Sequence, residues 1–193
     1  MADVQKQIRD ASNLLARGRR AAGLRQFEQL RAEYPKSASV WLESAFALDR
    51  LSREEEAIPL YERALQLGLQ GTAQRDALVC LGSSLRTVGR SEEAVRYLKQ
   101  ARKQFPSDVV VELFLALGYH DISQVTHALR LAAIACLREC DSRNLAGYGD
   151  VLKRKYSSLG KASNGRNGMN GQSRKKANLS VNKQEDLKLE ISS

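Results

Sequence analysis

Arg75–Pro106 reads RDALVCLGSSLRTVGRSEEAVRYLKQARKQFP, and the placing of its small residues decides the fold. Two short stretches of helical periodicity flank a Gly89-Arg90 turn. Leu81-Gly82, Gly89, Ala94, Ala101 and Pro106 mark where two helices touch, turn and stop. The rest of the chain aligns on this stretch at intervals near 34 residues, so it is one unit of an array.

Working outward, apolar residues recur at helical spacing throughout residues 4–140, and nothing there alternates with period two. The spacing predicts an all-helical domain with units at about 4–35, 38–71, 75–106 and 109–140. In the first unit Ile8, Ala11, Leu14 and Leu15 share a stripe, followed by Leu24, Phe27 and Leu30. That second helix stops before Pro35, whose ring crowds the preceding backbone out of the helical region. The second unit carries Trp41, Ala45 and Leu48, then Ala57, Tyr61 and Ala64. Ser52, with Glu55 three residues on, reads as a capping box, and Glu54–Glu56 complement the positive end of the helix that follows. Pro59 predicts a kink or a late start to that helix, because it lacks an N–H to donate. Gly68 and Gly71 close the unit with a loop about three residues longer than elsewhere. The fourth unit has Leu115, Ala116 and Tyr119 on its first helix and Ala128, Leu131 and Ala135 on its second. Ser123 is the candidate cap between them.

In this pattern the array resembles the tetratricopeptide repeat, whose 34-residue signature is W-x2-L-G-x2-Y…A-x3-F…P. The small slot on the first helix holds Ala11, Ala45, Gly82 and Ala116. The early slot on the second helix holds Gly23, Ala57, Ala94 and Ala128. The late slot holds Ala64, Ala101 and Ala135, with Leu30 breaking it in repeat one. An aromatic lies between those slots as Phe27 and Tyr61, and is replaced by Leu98 and Ala132 later on. The slots repeat at 34, 37 and 34 residues. Repeat one, with Gln7 where repeat two has Trp41, departs most, and the middle repeats are similar to small bacterial proteins of the group 5 type. The resemblance covers about residues 4–140 and implies an all-α, right-handed superhelical stack of about four helix-turn-helix repeats.

After Asp141 the pattern changes. Leu145, Tyr148, Leu152 and Tyr156 form one more helical stripe, so residues 144–159 are expected to be a polar-faced capping helix such as an open-ended stack requires. Residues 160–193 are rich in Gly, Asn, Ser and Lys and lack aromatics, and are expected to be a disordered basic tail.

The resemblance implies a non-enzymatic scaffold or adaptor that holds a peptide or a partner helix on the concave face made by the first helices. Helical phase puts Ile8, Arg9 and Ser12 there from repeat one. Repeat two adds Leu42, Glu43, Phe46 and Arg50, and repeat three adds Val79, Cys80, Ser83 and Arg86. Repeat four adds Val110, Leu113, Phe114 and Leu117. Relatives that grip a chaperone's C-terminal carboxylate do so with Lys, Asn and Arg at fixed slots. Here those slots hold Ile8, Ser12 and Glu43, or Leu42, Phe46 and Cys80 one repeat on. No carboxylate clamp is expected.

Charge and composition narrow the remaining classes. Residues 1–150 carry 21 Lys and Arg against 19 Asp and Glu, whereas residues 151–193 carry 10 against 3. Most of the net charge of +9 therefore lies in residues 151–193. Nucleic acid is not the expected partner: Lys161, Arg166, Arg174, Lys175 and Lys176 come without aromatic stacking residues and support only weak, salt-dependent binding to an acidic surface. Self-association through the repeat ends is the other alternative. Three cysteines (Cys80, Cys136 and Cys140) make no disulfide framework. Cys136 and Cys140 have metal-ligand spacing but no converging third and fourth ligand, so they are expected to be buried apolar side chains. There is no apolar leader region and no run of about 18 apolar residues for a membrane span. A cytoplasmic chain with no catalytic residues, no metal and no cofactor is expected.

Overall fold

The computed structural model describes residues 2–160, and within them the chain is wholly helical. Helices α1 (Ala2–Ala16) and α2 (Arg20–Glu33) form the first pair; α3 (Ala38–Asp49) and α4 (Glu54–Gln66) form the second. The third pair is α5 (Gly71–Thr87) with α6 (Ser91–Gln104), and the fourth is α7 (Val109–Asp121) with α8 (Val125–Glu139). A 3-10 turn at Ser142–Leu145 leads to α9 (Gly149–Ser158). Each helix packs on the next in chain order, which gives an all-α repeat stack.

Small residues bring the helices of each pair together. Ala11, Ala45, Gly82 and Ala116 are all buried, as are Gly23, Ala57, Ala94 and Ala128. Into the space they leave, the second helix inserts one large side chain: Phe27, Tyr61 or Leu98, each no more than 1% exposed. Full burial of such a side chain stabilises the fold by about 1.5–3 kcal/mol. The fit at Gly82 is tight enough that a Cβ there would lie 2.6 Å from Leu98 Cγ. Repeat four holds Ala132 in the same slot, and that residue is only half-buried.

All four turns within the pairs are built alike, and this corrects the capping assignments. Gly18, Ser52, Gly89 and Ser123 adopt left-handed backbone conformations, with φ of 74°, 55°, 79° and 61°. After each, the next N–H reaches back five residues: Arg19 to Leu14, Arg53 to Leu48, Arg90 to Leu85 and Gln124 to Tyr119, at 2.8–3.1 Å. This is the Schellman closure of a helix C-terminus. Ser52 and Ser123 thus end the first helix of their pairs and do not cap the second. The residues preceding α4 and α8 are Arg53 and Gln124, neither with a side-chain cap. Nor does α4 start late: it begins at Glu54 and runs through Pro59. The final helix begins at Gly149, five residues after the expected 144, because Ala146 and Gly147 both take left-handed conformations.

Polar ties join successive repeats. Arg75 Nε donates to Asp108 Oδ2 (2.9 Å), Ser84 Oγ to Asp49 Oδ1 (2.8 Å) and Tyr97 Oη to Glu62 Oε1 (3.0 Å). Asp108 also caps α7 by accepting from Val111 N. Buried Glu112 is held by Arg138 Nη2 (2.7 Å), which ties α7 to α8. Of the expected tail, residues 160–193, all but residue 160 lie outside the described residues.

The turn geometry predicts that Ser52→Gly and Ser123→Gly each stabilise the protein by up to about 1 kcal/mol, since only glycine takes a left-handed conformation without strain. Urea unfolding checks it. A loss of stability in Ser52→Gly would restore the capping reading.

Candidate functional site

The first helices of the four pairs carry the side chains expected on the inner face, and the structure sorts them by accessibility. Leu42 and Val79 are each 5% exposed and Ile8 is 4%. Leu42 belongs to the central core, Val79 packs with Leu78, Ala101 and Val111, and Ile8 joins Ala11, Phe27 and Leu30. These three are packing residues. A first helix meets both its own second helix and the adjacent repeat, so its apolar stripe is wider than one face.

The others remain reachable. Arg9 and Arg50 are exposed and make no ion pair among the described residues. Ser12, Glu43, Phe46, Ser83 and Leu113 are half-buried, and Leu117 is 47% exposed. Burial pushes the Glu43 carboxyl above the usual range, with the positive charge of Arg50 opposing it. Arg86 is occupied: its Nε donates to Asp121 Oδ2, which holds the Asp121 carboxyl below its usual range and links α5 to α7. Leu113 and Leu117 also line an apolar groove of about 460 Å3 between α7 and α8.

Behind Phe46 lies a polar cluster that helical phase alone did not reveal. Phe46 meets Tyr61 edge to face at 5.7 Å. Tyr61 Oη donates to Asp49 Oδ2 (2.7 Å), while Ser84 donates to Asp49 Oδ1, with the Cys80 carbonyl 2.9 Å away as a second acceptor. Asp49 thereby anchors one hydroxyl from its own repeat and one from the next. Burial, with the nearby negative charge, pushes the Tyr61 hydroxyl up and the Cys80 thiol to about 11. A thiol so raised is a poor nucleophile, because the thiolate is the reactive form. The signal in the sequence was Asp49 at a helix C-terminus, where a negative charge is unfavourable unless hydrogen-bonded.

Cys136 and Cys140 are both exposed, contrary to the expectation of burial. Cys136 lies on the side of α8 away from the core that Ala128, Leu131 and Ala135 enter, and Cys140 follows the helix's end. Among the described residues, no three His, Cys, Asp or Glu side chains converge as a metal would need. No helix there is long and apolar enough to cross a membrane.

Comparison with known proteins bears on this architecture. The family model described as Tetratrico peptide repeat matches residues 38–151, more than half of the chain. The match begins at α3 and leaves out the divergent first repeat. No curated protein sequence matches. Among solved structures, MamA is similar with a TM-score of 0.61 at 16% identity, over 82% of this chain and 88% of that one. MamA from residue 41 onward, from Desulfovibrio magneticus RS-1, gives 0.59 at 14% identity, over 83% and 97%. YrrB, described as a TPR protein with an unusual peptide-binding site, gives 0.52 at 14% identity, over 81% and 86%. At these identities the likeness is one of fold.

The cluster around Asp49 predicts that at pH 8 Cys80 is alkylated roughly 100-fold more slowly in the native protein than in the unfolded chain. The raised pKa keeps the proton on in the folded state, so this protection is full below about pH 9 and fades as pH rises through about 11. Mass-resolved alkylation reads it, with equal native and denatured rates as the contrary result.

Proposed function

The chain belongs to the tetratricopeptide-repeat family, and on that premise we propose that it is a non-enzymatic adaptor. It holds a peptide or a partner's helix against the first helices of its repeats. The observation that carries the reading is the accessible surface of those helices. On those helices Arg9 and Arg50 are exposed without ion pairs, Phe46 is half-buried and Leu117 is exposed. Arginine forks grip carboxylates in pairs of hydrogen bonds, and partly buried aromatics concentrate binding energy. Buried Leu42 and Val79 serve as the packed floor beneath this face.

The structure changes which residues make informative probes. Arg86 is tied to Asp121 and Phe46 supports Tyr61, so substituting either perturbs the scaffold as well as the surface. Arg9 and Arg50 form no ion pair, and the charge of Arg50 acts only as a secondary influence on Glu43. The reading includes a cytoplasmic location, in keeping with cysteines left free in the structure, and it assigns no bound cofactor.

Affinity capture from the native cell with Arg9→Glu/Arg50→Glu beside wild type tests the proposal. At least one wild-type partner is expected to fall about tenfold or more in recovery, while the variant's melting temperature stays unchanged. Recovery equal to wild type for every partner contradicts the inner face as the binding surface.

A further inference from the structure

Among the described residues, the end of the stack carries an unfilled seat for a helix. α7 rests on α5 and α6 with Gly118 facing Val95 and Leu98; a Cβ there would lie 3.0 Å from the first and 3.7 Å from the second. Shifted by one repeat, the same seat recurs on α7 and α8. Its rim is Leu117, Val125 and Leu129, which are 47%, 57% and 51% exposed, with exposed His120 beside them, and its floor is Ala116, Ala128 and Ala132. Val125, Ala128, Leu129 and Ala132 share one face of α8 by their i, i+3, i+4, i+7 spacing.

Two of the differences between this open seat and the covered one bear on what it can hold. Ser83 and Ser91 of repeat three become Leu117 and Val125, so the uncovered surface is the more apolar of the two. A solvated end of a repeat array needs the reverse. In addition, Ala132 stands where Phe27, Tyr61 and Leu98 fill the other repeats, which leaves the volume of one large side chain empty. α9 does not supply it. That helix runs along the adjacent side of α8, where Arg130 Nη1 donates to the Leu159 carbonyl (3.4 Å) and Gly160 abuts Thr126.

We propose that this seat docks an amphipathic helix of another protein, which inserts a leucine- or phenylalanine-sized side chain over Ala132. The seat continues the interface by which α7 joins the stack, and that interface accepts a helix with an apolar stripe. A second copy does not fit it through its first helix. The α1 residues equivalent to Val110, Phe114 and Gly118 are Gln5, Arg9 and Asn13, all exposed and polar. Packing Arg9 against Leu129 would desolvate an unpaired charge. Apolar anchors at helical spacing are the general mode of helix-in-groove recognition.

The experiment uses a fluorescent peptide of the α7 sequence from Asp108 to Ile122, bearing Gly118→Leu, titrated into the full chain by anisotropy. Saturable binding is expected with a Kd on the order of 10 μM, weakened at least about tenfold by Leu129→Lys and by Ala132→Leu. Ala132→Leu restores the residue repeat three uses and is expected to melt no lower than wild type, so lost binding will not reflect lost fold. No saturation by about 1 mM peptide, or unchanged affinity in Ala132→Leu, overturns the proposal. Sedimentation of the chain alone completes the test: a dimer that Ala132→Leu dissolves would give the seat to a second copy and overturn it too. Leu117 belongs to both surfaces, but Arg9 and Arg50 lie outside the seat, so their substitution judges the adaptor reading separately.

Discussion

The packing of Leu98 over Gly82 is the contact on which the architecture rests, repeated with variations along the chain. Removing the side chain at one position lets the second helix of a pair come close and bury a large residue against bare backbone. In repeat two the partners are Ala45 and Tyr61, and in repeat one Ala11 and Phe27, all buried. Glycine within a helix costs about 0.5–1 kcal/mol relative to alanine, less than the burial it permits. Because protein interiors tolerate neither voids nor overlap, each pair locks at one separation. The shared separation is what lets the next pair stack in register.

That register governs the polar contacts as well. Asp49 to Ser84, Glu62 to Tyr97 and Arg86 to Asp121 each span 35 residues, one repeat to the next. Most lie near the ends of helices, where a carboxylate or hydroxyl from one repeat meets its partner only if the spacing holds. A half-buried carboxylate such as Asp49 that lost its partners would keep part of its desolvation cost without the pairing. These ties therefore act as checks on register more than as sources of stability. They are denser after repeat one, in line with a family match that begins at α3.

Much of this was legible in the chain because small residues at fixed intervals have one physical use, close helix contact. Ala57, Ala64, Ala94 and Ala101 could be placed before any coordinates, and all four are wholly buried. Serine was harder to read, because the same residue type caps a helix start and tolerates a left-handed turn. Ser52 and Ser123 stand where repeats one and three have Gly18 and Gly89, and that alignment held the answer. The inner face was partly misread for a different reason: phase tells which residues share a side, and says nothing of how much of that side the next repeat covers. Leu42 and Val79 went under, while Arg9, Arg50 and Leu117 stayed out. At the open end Ala132 was visible as a departure from the aromatic slot, but its consequence depends on where α9 lies. The two ends of the stack consequently differ, polar at α1 and apolar at α7 and α8.

The missing side chain at position 82 sets the approach of α5 and α6, and a double-mutant cycle between Gly82→Ala and Leu98→Ala measures this most directly. With Leu98 in place, Gly82→Ala is expected to destabilise the protein, because the added methyl group collides with a fully buried leucine. With Leu98→Ala present, the same change is expected to stabilise by about 0.5–1 kcal/mol, the ordinary gain in helix propensity. A reversal of sign in urea unfolding is the result this account predicts. The same effect of Gly82→Ala in both backgrounds would contradict it.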